Sequence, residues 1–496
     1  MIKLLKKLLN YLLIPINAFK YRYLSIIIIY FIYGLATFNS IAEMFWVKNK
    51  LSLTPQQLIE IAFWSNLAWT FKIFFSYMLD STKLFKGDKK CYIVLSNISL
   101  MLGYFILALT VYDIKIFSVY SQLITSGILV SMGLVIQDLI ADALCVELVP
   151  KSDDTGKEFT KEEMRNNYGS VQLIGRISLM FGFLLASFIG GYIAQRFTYK
   201  NIVIFLFIIP IFSGMSILFL KKFIKQNYEK NRKLLYLILS FGLLFILCSI
   251  PEYNFKEEVI FIINLFFTVY MFKTIISHLT PEQKTNLILV GIVIFAYRIQ
   301  PTPGSGIEWW QIDVLKFTPM FFAILNQISM ILGFIGTWIL SPYFLRKGIF
   351  FTVVFLSIIE LILKIPIIGM AYGLHEWTMQ HLGFGAKTIA LIDISIEGPF
   401  SVAFMVPMLA LSSYYAPKKN NIVVWFALTA SWFNIPFALG RVISKHINHI
   451  FIIERGVYTN VSDLLIYTSA IGFIFPVIAV IACQKFYKKT EEIRQY

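Results

Sequence analysis

The chain has 496 residues, of which 58% are hydrophobic, 17% aromatic and only 15% charged. So little charge cannot cover a soluble domain of this size, which excludes a soluble enzyme or binding module and predicts an all-α polytopic membrane protein. The formal net charge of +16 would suit nucleic acid, but Lys and Arg cluster in short segments between apolar runs, so a bilayer and no nucleic acid is the expected partner.

The first segment, 1–23, is basic and apolar with no small-residue cleavage site, and reads as an interfacial amphipathic segment, not a signal peptide. Apolar runs then predict spans at 24–45, 57–80, 91–111, 116–149, 169–195, 200–220, 233–251, 258–277, 285–300, 317–341, 348–371, 386–415, 421–443 and 462–484. With the N-terminus placed in the cytoplasm, about 29 Lys and Arg fall in segments on the inner side and about 9 on the outer side. That asymmetry predicts an even number of spans, about fourteen, with both termini cytoplasmic. The basic loop at 221–233 separates six spans from a pair of extra ones, and six more follow. The layout is a six-helix half at 24–220, a linker with two inserted helices at 221–284, a second six-helix half at 285–484 and a cytoplasmic tail at 485–496. It has the shape of a two-halved carrier. Monomers in a bacterial inner membrane are the expected setting.

Ionisable side chains inside spans are costly, and each is a functional candidate until its partner is known. Six basic residues lie within spans: Lys72, Arg176, Arg298, Lys364, Lys387 and Arg441. The run Gln137-Asp138-Leu139-Ile140-Ala141-Asp142-Ala143-Leu144-Cys145-Val146-Glu147 places three carboxylates in the inner half of the fourth span. Counted from the inner helix ends at about 1.5 Å per residue, Lys72, Asp138, Asp142 and Arg176 share a layer roughly 10–17 Å deep. Asp138 and Asp142, four apart, face one side; Glu147 points elsewhere and lies nearer the inner surface. The layer reads either as a network fastening the second, fourth and fifth helices, or as a binding and coupling layer. Glu43, Glu60, Arg298, Asp393 and Glu397 form an expected second layer near the outer ends, read as gate or vestibule. Glu360 and Lys364 are placed to pair with each other on one helix.

Elsewhere the chemistry is sparse. Cys91, Cys145, Cys248 and Cys483 lack CxxC spacing, and the five His show no HxxxH helix, so no metal or cofactor is expected. Pro301-Thr302-Pro303-Gly304-Ser305-Gly306 breaks a span before Trp309-Trp310; it reads as a cavity-lining break or an ordinary interfacial loop. Asp138-x-x-x-Asp142 is also similar to one Asp-rich element of membrane prenyltransferases. The second element such an enzyme needs has only Asp393-x-x-x-Glu397 as candidate, near the opposite side of the membrane, so a carrier is preferred over an enzyme.

Four stretches together resemble the folate–biopterin transporter family of the major facilitator superfamily. They are Trp69 through Lys72 to Ser81 with the basic loop to Tyr92; Asp138 to Glu147, similar to the family's D-x-x-A-D-A-L-x-V-E run; Tyr168 through Arg176 to Tyr192; and Pro301 to Pro319, continued at Asp393, Phe404–Pro407 and Phe426–Leu428. Ser76 stands where the family's loop motif usually has Gly, and Ile73 where Pro is expected. The resemblance implies a carrier of a folate- or pterin-like organic anion, working by alternating access with proton symport; a major facilitator carrier of another small solute is the alternative. Lys72, Arg176 and Arg298 would then meet negative charge and Trp69, Tyr168 or Trp309 stack on a flat ring. Asp138 or Asp142 would carry the proton, and Asp80, Glu147 and Asp393 would gate.

Overall fold

A computed structural model of the chain describes residues 20–81, 89–149, 161–220, 255–416 and 422–487, with isolated positions between 150 and 160. Residues 1–19 of the interfacial segment at 1–23, the basic loop at 221–233, the seventh predicted span at 233–251 with Cys248, and residues 488–496 of the tail lie outside the described residues. The helices are α1 (Tyr21–Lys50), α2 (Pro55–Ser76), α3 (Lys89–Val111), α4 (Val119–Glu147), α5 (Lys161–Arg196), α6 (Tyr199–Phe219), α7 (Lys256–Ile275), α8 (Pro281–Arg298), α9 (Ser305–Asp313), α10 (Pro319–Lys347), α11 (Ile349–Ala371), α12 (Leu374–Leu382), α13 (Ala386–Tyr414), α14 (Ile422–Ile450) and α15 (Val461–Gln484). Twelve described stretches are long and apolar enough to cross a bilayer; α8, also predicted as a span, is fully helical but opens with Glu282 and Lys284. Large apolar side chains such as Leu218, Phe266 and Phe181 stand exposed on the outside of the bundle, as lipid requires.

Local chemistry sets the helix starts. Thr54-Pro55-Gln56-Gln57 and Thr280-Pro281-Glu282-Gln283 each form a capping box with Pro in the first turn, so α2 and α8 begin at a defined residue. Close helix crossings depend on missing side chains. Gly34 of α1 faces Gly182 of α5, and a Cβ at Gly182 would stand 2.2 Å from the carbonyl of Phe31. Such small-residue contacts let backbones approach where no hydrophobic force drives helices together.

Packing divides the molecule into two bundles and a seam. Two apolar clusters use only α1 to α6 and their flanks, one around Tyr104 and Tyr199, the other around Ile29 and Ile140. Two more use only α8 to α15, around Phe344 and Trp310. In the seam, Phe63, Trp64 and Leu67 of α2 meet Ile260 of α7 and Ile435 and Val442 of α14; Ile73, Phe267 and Leu428 repeat the arrangement further along. The inserted helix α7 therefore packs on both bundles where α2 and α14 meet.

The bundles also meet at the predicted outer end. Ser187 of α5 donates to the carbonyl of Ala323 at 3.2 Å, and a Cβ at Gly191 would lie 2.2 Å from that of Ala323. Lys48 pairs with Asp313 at 2.6 Å. Arg455 donates to the carbonyls of Val47, Lys48 and Leu53 across the same gap.

Candidate functional site

Lys72 follows a break in the second span, where Phe71 leaves helical geometry and the chain resumes as helix. The turn is held from the other bundle, because the Ile73 amide donates to Ser431 Oγ of α14 at 3.0 Å. Lys72 Nζ meets Asp138 Oδ2 at 2.5 Å and Asp142 Oδ2 at 2.8 Å. Tyr30 of α1 donates its hydroxyl to Asp142 Oδ1 at 2.6 Å, and Arg176 of α5 reaches the same oxygen at 3.9 Å with its guanidinium 5.4 Å from the Tyr30 ring. Four predicted charges thus form one cluster, and Tyr30 is a fifth member. Exposure is graded: the side chains of Lys72 and Asp138 are 7% and 6% exposed, those of Asp142 and Arg176 32% and 49%. Asp142 and Arg176 are the accessible face; Asp138 is the buried anchor.

A buried ammonium held by two carboxylates is well satisfied, so Lys72 is less free to meet a substrate than its place in the sequence suggests. Asp142 differs. It accepts from a cation and a phenol while a second cation stands nearby, so adding a proton there would loosen both Lys72 and Arg176.

The second bundle contributes a different kind of cation. Arg298, the last residue of α8, donates from Nε to the carbonyl of Phe433 at 2.5 Å and lies 4.2 Å over the Phe437 ring. No carboxylate among the described residues pairs with it. Beside it, Tyr297 donates to Glu360 at 2.5 Å. Glu360 and Lys364 do not form the expected same-helix pair: Lys364 turns to Glu397 of α13 at 3.3 Å, because the tyrosine hydroxyl already occupies Glu360. Asp393, one turn from Glu397, keeps one buried oxygen without a hydrogen-bond partner among the described residues.

Of the predicted aromatics, Trp69 stacks on Tyr33 with centroids 5.4 Å apart, and its carbonyl accepts from Asn434 of α14 at 3.3 Å. It stands where the bundles face each other. Trp309 is almost fully buried under the Arg455 guanidinium, 4.1 Å from it, in the closure at the predicted outer end. A pocket of about 410 Å³ lies beside it, between Thr54–Gln56 and Asn448–Arg455. The second predicted layer is not one cluster. Glu43 accepts from Asn39 inside the first bundle, near Tyr199, and Glu60 accepts from Tyr120 at 2.8 Å. Glu147 ends α4, below the cluster. The Asp80 side chain lies outside the described residues. Tyr30, Tyr33 and Asn434 were missed because uncharged polar and aromatic side chains in spans resemble lipid-facing or packing residues. The Lys48–Asp313 tie was missed because both read as ordinary loop charges.

The sequence model of the BT1 family matches residues 33–494. A folate-biopterin transporter of Synechocystis sp. is 21% identical over 472 residues, covering 94% of this chain and 82% of the relative. Among solved structures, a POT family transporter in complex with a thioalcohol-conjugated peptide superposes with TM-score 0.67 at 11% identity, covering 94% of this chain and 96% of that one. A D-xylose–proton symporter gives 0.56 at 12% identity, with 95% and 98% covered. At these identities the structural matches speak for the fold, a major facilitator-type arrangement of helices.

Proposed function

The chain belongs to the BT1 family and is a membrane transporter, not an enzyme; on that premise we propose that it carries a folate- or pterin-like organic anion by alternating access, in symport with protons. Residues 24–220 and 285–484 are the two halves that rock against each other, with both termini cytoplasmic in an inner cell membrane and the monomer as the working unit. The observation that carries this reading is the graded cluster, in which Asp142 and Arg176 face the open side while Lys72 and Asp138 stay buried.

The cluster links proton and anion by competition for one guanidinium. With Asp142 ionised, Arg176 and Lys72 are drawn to it. With Asp142 protonated, Arg176 is released toward the solute, whose negative charge Arg298 meets from the opposite half. The stacked pair of Trp69 and Tyr33 offers a flat aromatic surface for a pteridine ring. Glu147 and Asp80 act at the inner exit and Asp393 as a gate residue of the second half; Trp309, first expected against the substrate, serves the outer closure.

Proteoliposomes loaded at alkaline pH test the proposal. Labelled folate or pterin should accumulate against its gradient when the outside is acidic, and a protonophore should abolish that accumulation. Uptake of unrelated anions alone would overturn the substrate class, and uptake indifferent to the pH gradient would overturn the symport.

A further inference from the structure

Arg441 lies in the middle of α14, half-buried, and makes no ion pair, hydrogen bond or ring contact among the described residues. A guanidinium inside a membrane protein with nothing to meet is expensive, so its surroundings indicate what it is kept for. Three observations fix them. Phe437, one turn before Arg441 on the same face, carries the Arg298 guanidinium at 4.2 Å. Asn434, a further turn along that stripe, reaches across to the carbonyl of Trp69 in the other bundle. The backbone of α14 runs tightly along the chain that follows Arg298. A Cβ at Gly440 would stand 2.9 Å from the carbonyl of Gln300, and the Thr302 amide donates to Ser444 at 2.7 Å. Arg441 therefore projects beside Arg298, toward the gap bounded by Trp69 of the first bundle.

Neither guanidinium has a carboxylate among the described residues, whereas the cluster on the first bundle balances two cations with two carboxylates. The excess positive charge of the gap sits on the second bundle, in two planar forks that each suit a carboxylate. We propose that Arg298 and Arg441 together form a dianion clamp, so that the transported solute carries two negative groups at one end, held by the second half, and a flat ring at the other, against Trp69 and Tyr33. Arg441 is a specificity-determining residue within the carrier reading given above, on which this inference rests.

The test compares purified wild type with Arg441→Gln and Arg441→Lys in proteoliposomes, using folate with two carboxylates, pteroate with one and biopterin with none. The wild type should take up folate with the lowest KM. Arg441→Gln should raise the folate KM by about tenfold, the worth of one charge-assisted hydrogen bond, and leave pteroate within twofold; Arg441→Lys should recover part of the folate affinity. Equal losses for folate and pteroate, or no change for either, would overturn the clamp. If the wild type ignores all three pteridines, the carrier reading for that class fails, and ligand-induced thermal stabilisation by glutarate against butyrate still decides the clamp. A dianion preference lost in Arg441→Gln supports it, and none in the wild type overturns it.

Discussion

The Lys72 ammonium lies 2.5 Å from Asp138 and holds it in a place almost closed to solvent. Removing that cation strands a buried carboxylate, which costs about 3–5 kcal/mol for pairs of this kind. Lys72→Gln should therefore lower the thermal midpoint of the purified protein in detergent. Lys72→Gln combined with Asp138→Asn should restore much of the loss, since the stranded charge is gone. No recovery in the double variant would mean that Lys72 stabilises the helices by packing alone.

Asp142 shares the same ammonium at 2.8 Å yet has an exposed side. Asp142→Asn keeps the hydrogen-bonding shape and cannot exchange a proton. Uptake driven by a pH gradient should fall at least tenfold, while exchange of labelled for unlabelled substrate across the membrane continues. Full gradient-driven uptake in this variant would remove Asp142 from the coupling step.

The positions of the described spans were legible in the sequence because bilayer spans are long apolar runs broken by charge. The shared depth of Lys72, Asp138, Asp142 and Arg176 was legible for a related reason, since helical rise converts residue number into height. What counting heights could not supply was rotation about each helix axis. Glu360 and Lys364 have the spacing of a pair, but their helix turns them toward Tyr297 and Glu397. Glu43 and Glu60 are expected in one layer with Arg298, yet they accept from Asn39 and Tyr120 of the first bundle while Arg298 meets Phe433 of the second. The place of α7 was equally hidden, because nothing in an apolar run states which neighbour it covers.

At the predicted outer end, burial pushes the Asp313 carboxyl up, but hydrogen bonds from Lys48 and Tyr458 outweigh it and hold it below the usual aspartate value. A lowered value means the ionised form is favoured in the closed arrangement. The tie therefore contributes fully at neutral pH and is lost as pH falls through the depressed value. Asp313→Asn should mimic that loss at neutral pH. In a Gln56→Cys background, where the probe sits in the pocket beside Trp309, a membrane-impermeant maleimide should label several-fold faster with Asp313→Asn than without it. Unchanged labelling would show that Arg455 and its three carbonyls hold the closure without Lys48.

Gly182 and Gly191 lie on one helix but do different work. A methyl at Gly182 meets the Phe31 carbonyl, within the first bundle, where backbone cannot yield; Gly182→Ala should cost about 1–3 kcal/mol and lower the thermal midpoint. Gly191 faces Ala323 across the two bundles. Gly191→Val should leave the folded protein stable but disfavour contact at the outer end. Maleimide access in the Gln56→Cys background should rise and net uptake fall. A loss of stability at Gly191 as large as at Gly182 would place that contact inside a rigid unit.

The inserted helix α7 is tied to its two neighbours by unequal bonds. Toward α14, Lys445 meets Glu257 at 3.2 Å and Glu258 at 2.9 Å. Toward α2, Trp64 donates to the Glu257 carboxylate at 2.8 Å, Asn264 donates to Thr70 at 2.6 Å, and the Lys256 ammonium stands 5.8 Å from the Trp64 ring. A hydrogen bond from a neutral donor to a carboxylate is worth about 1.5–3 kcal/mol, whereas breaking the buried Lys445–Glu257 pair by removing one partner costs about 3–5 kcal/mol. When the bundles part, α7 should travel with the second and release the first. Lys445→Ala should thus destabilise the protein more, and Trp64→Phe should lower its stability by no more than about 1.5–3 kcal/mol while altering the transport rate. If Trp64→Phe is as destabilising as Lys445→Ala, then α7 is a fixed bridge and the seam between α2 and α14 does not open during the cycle.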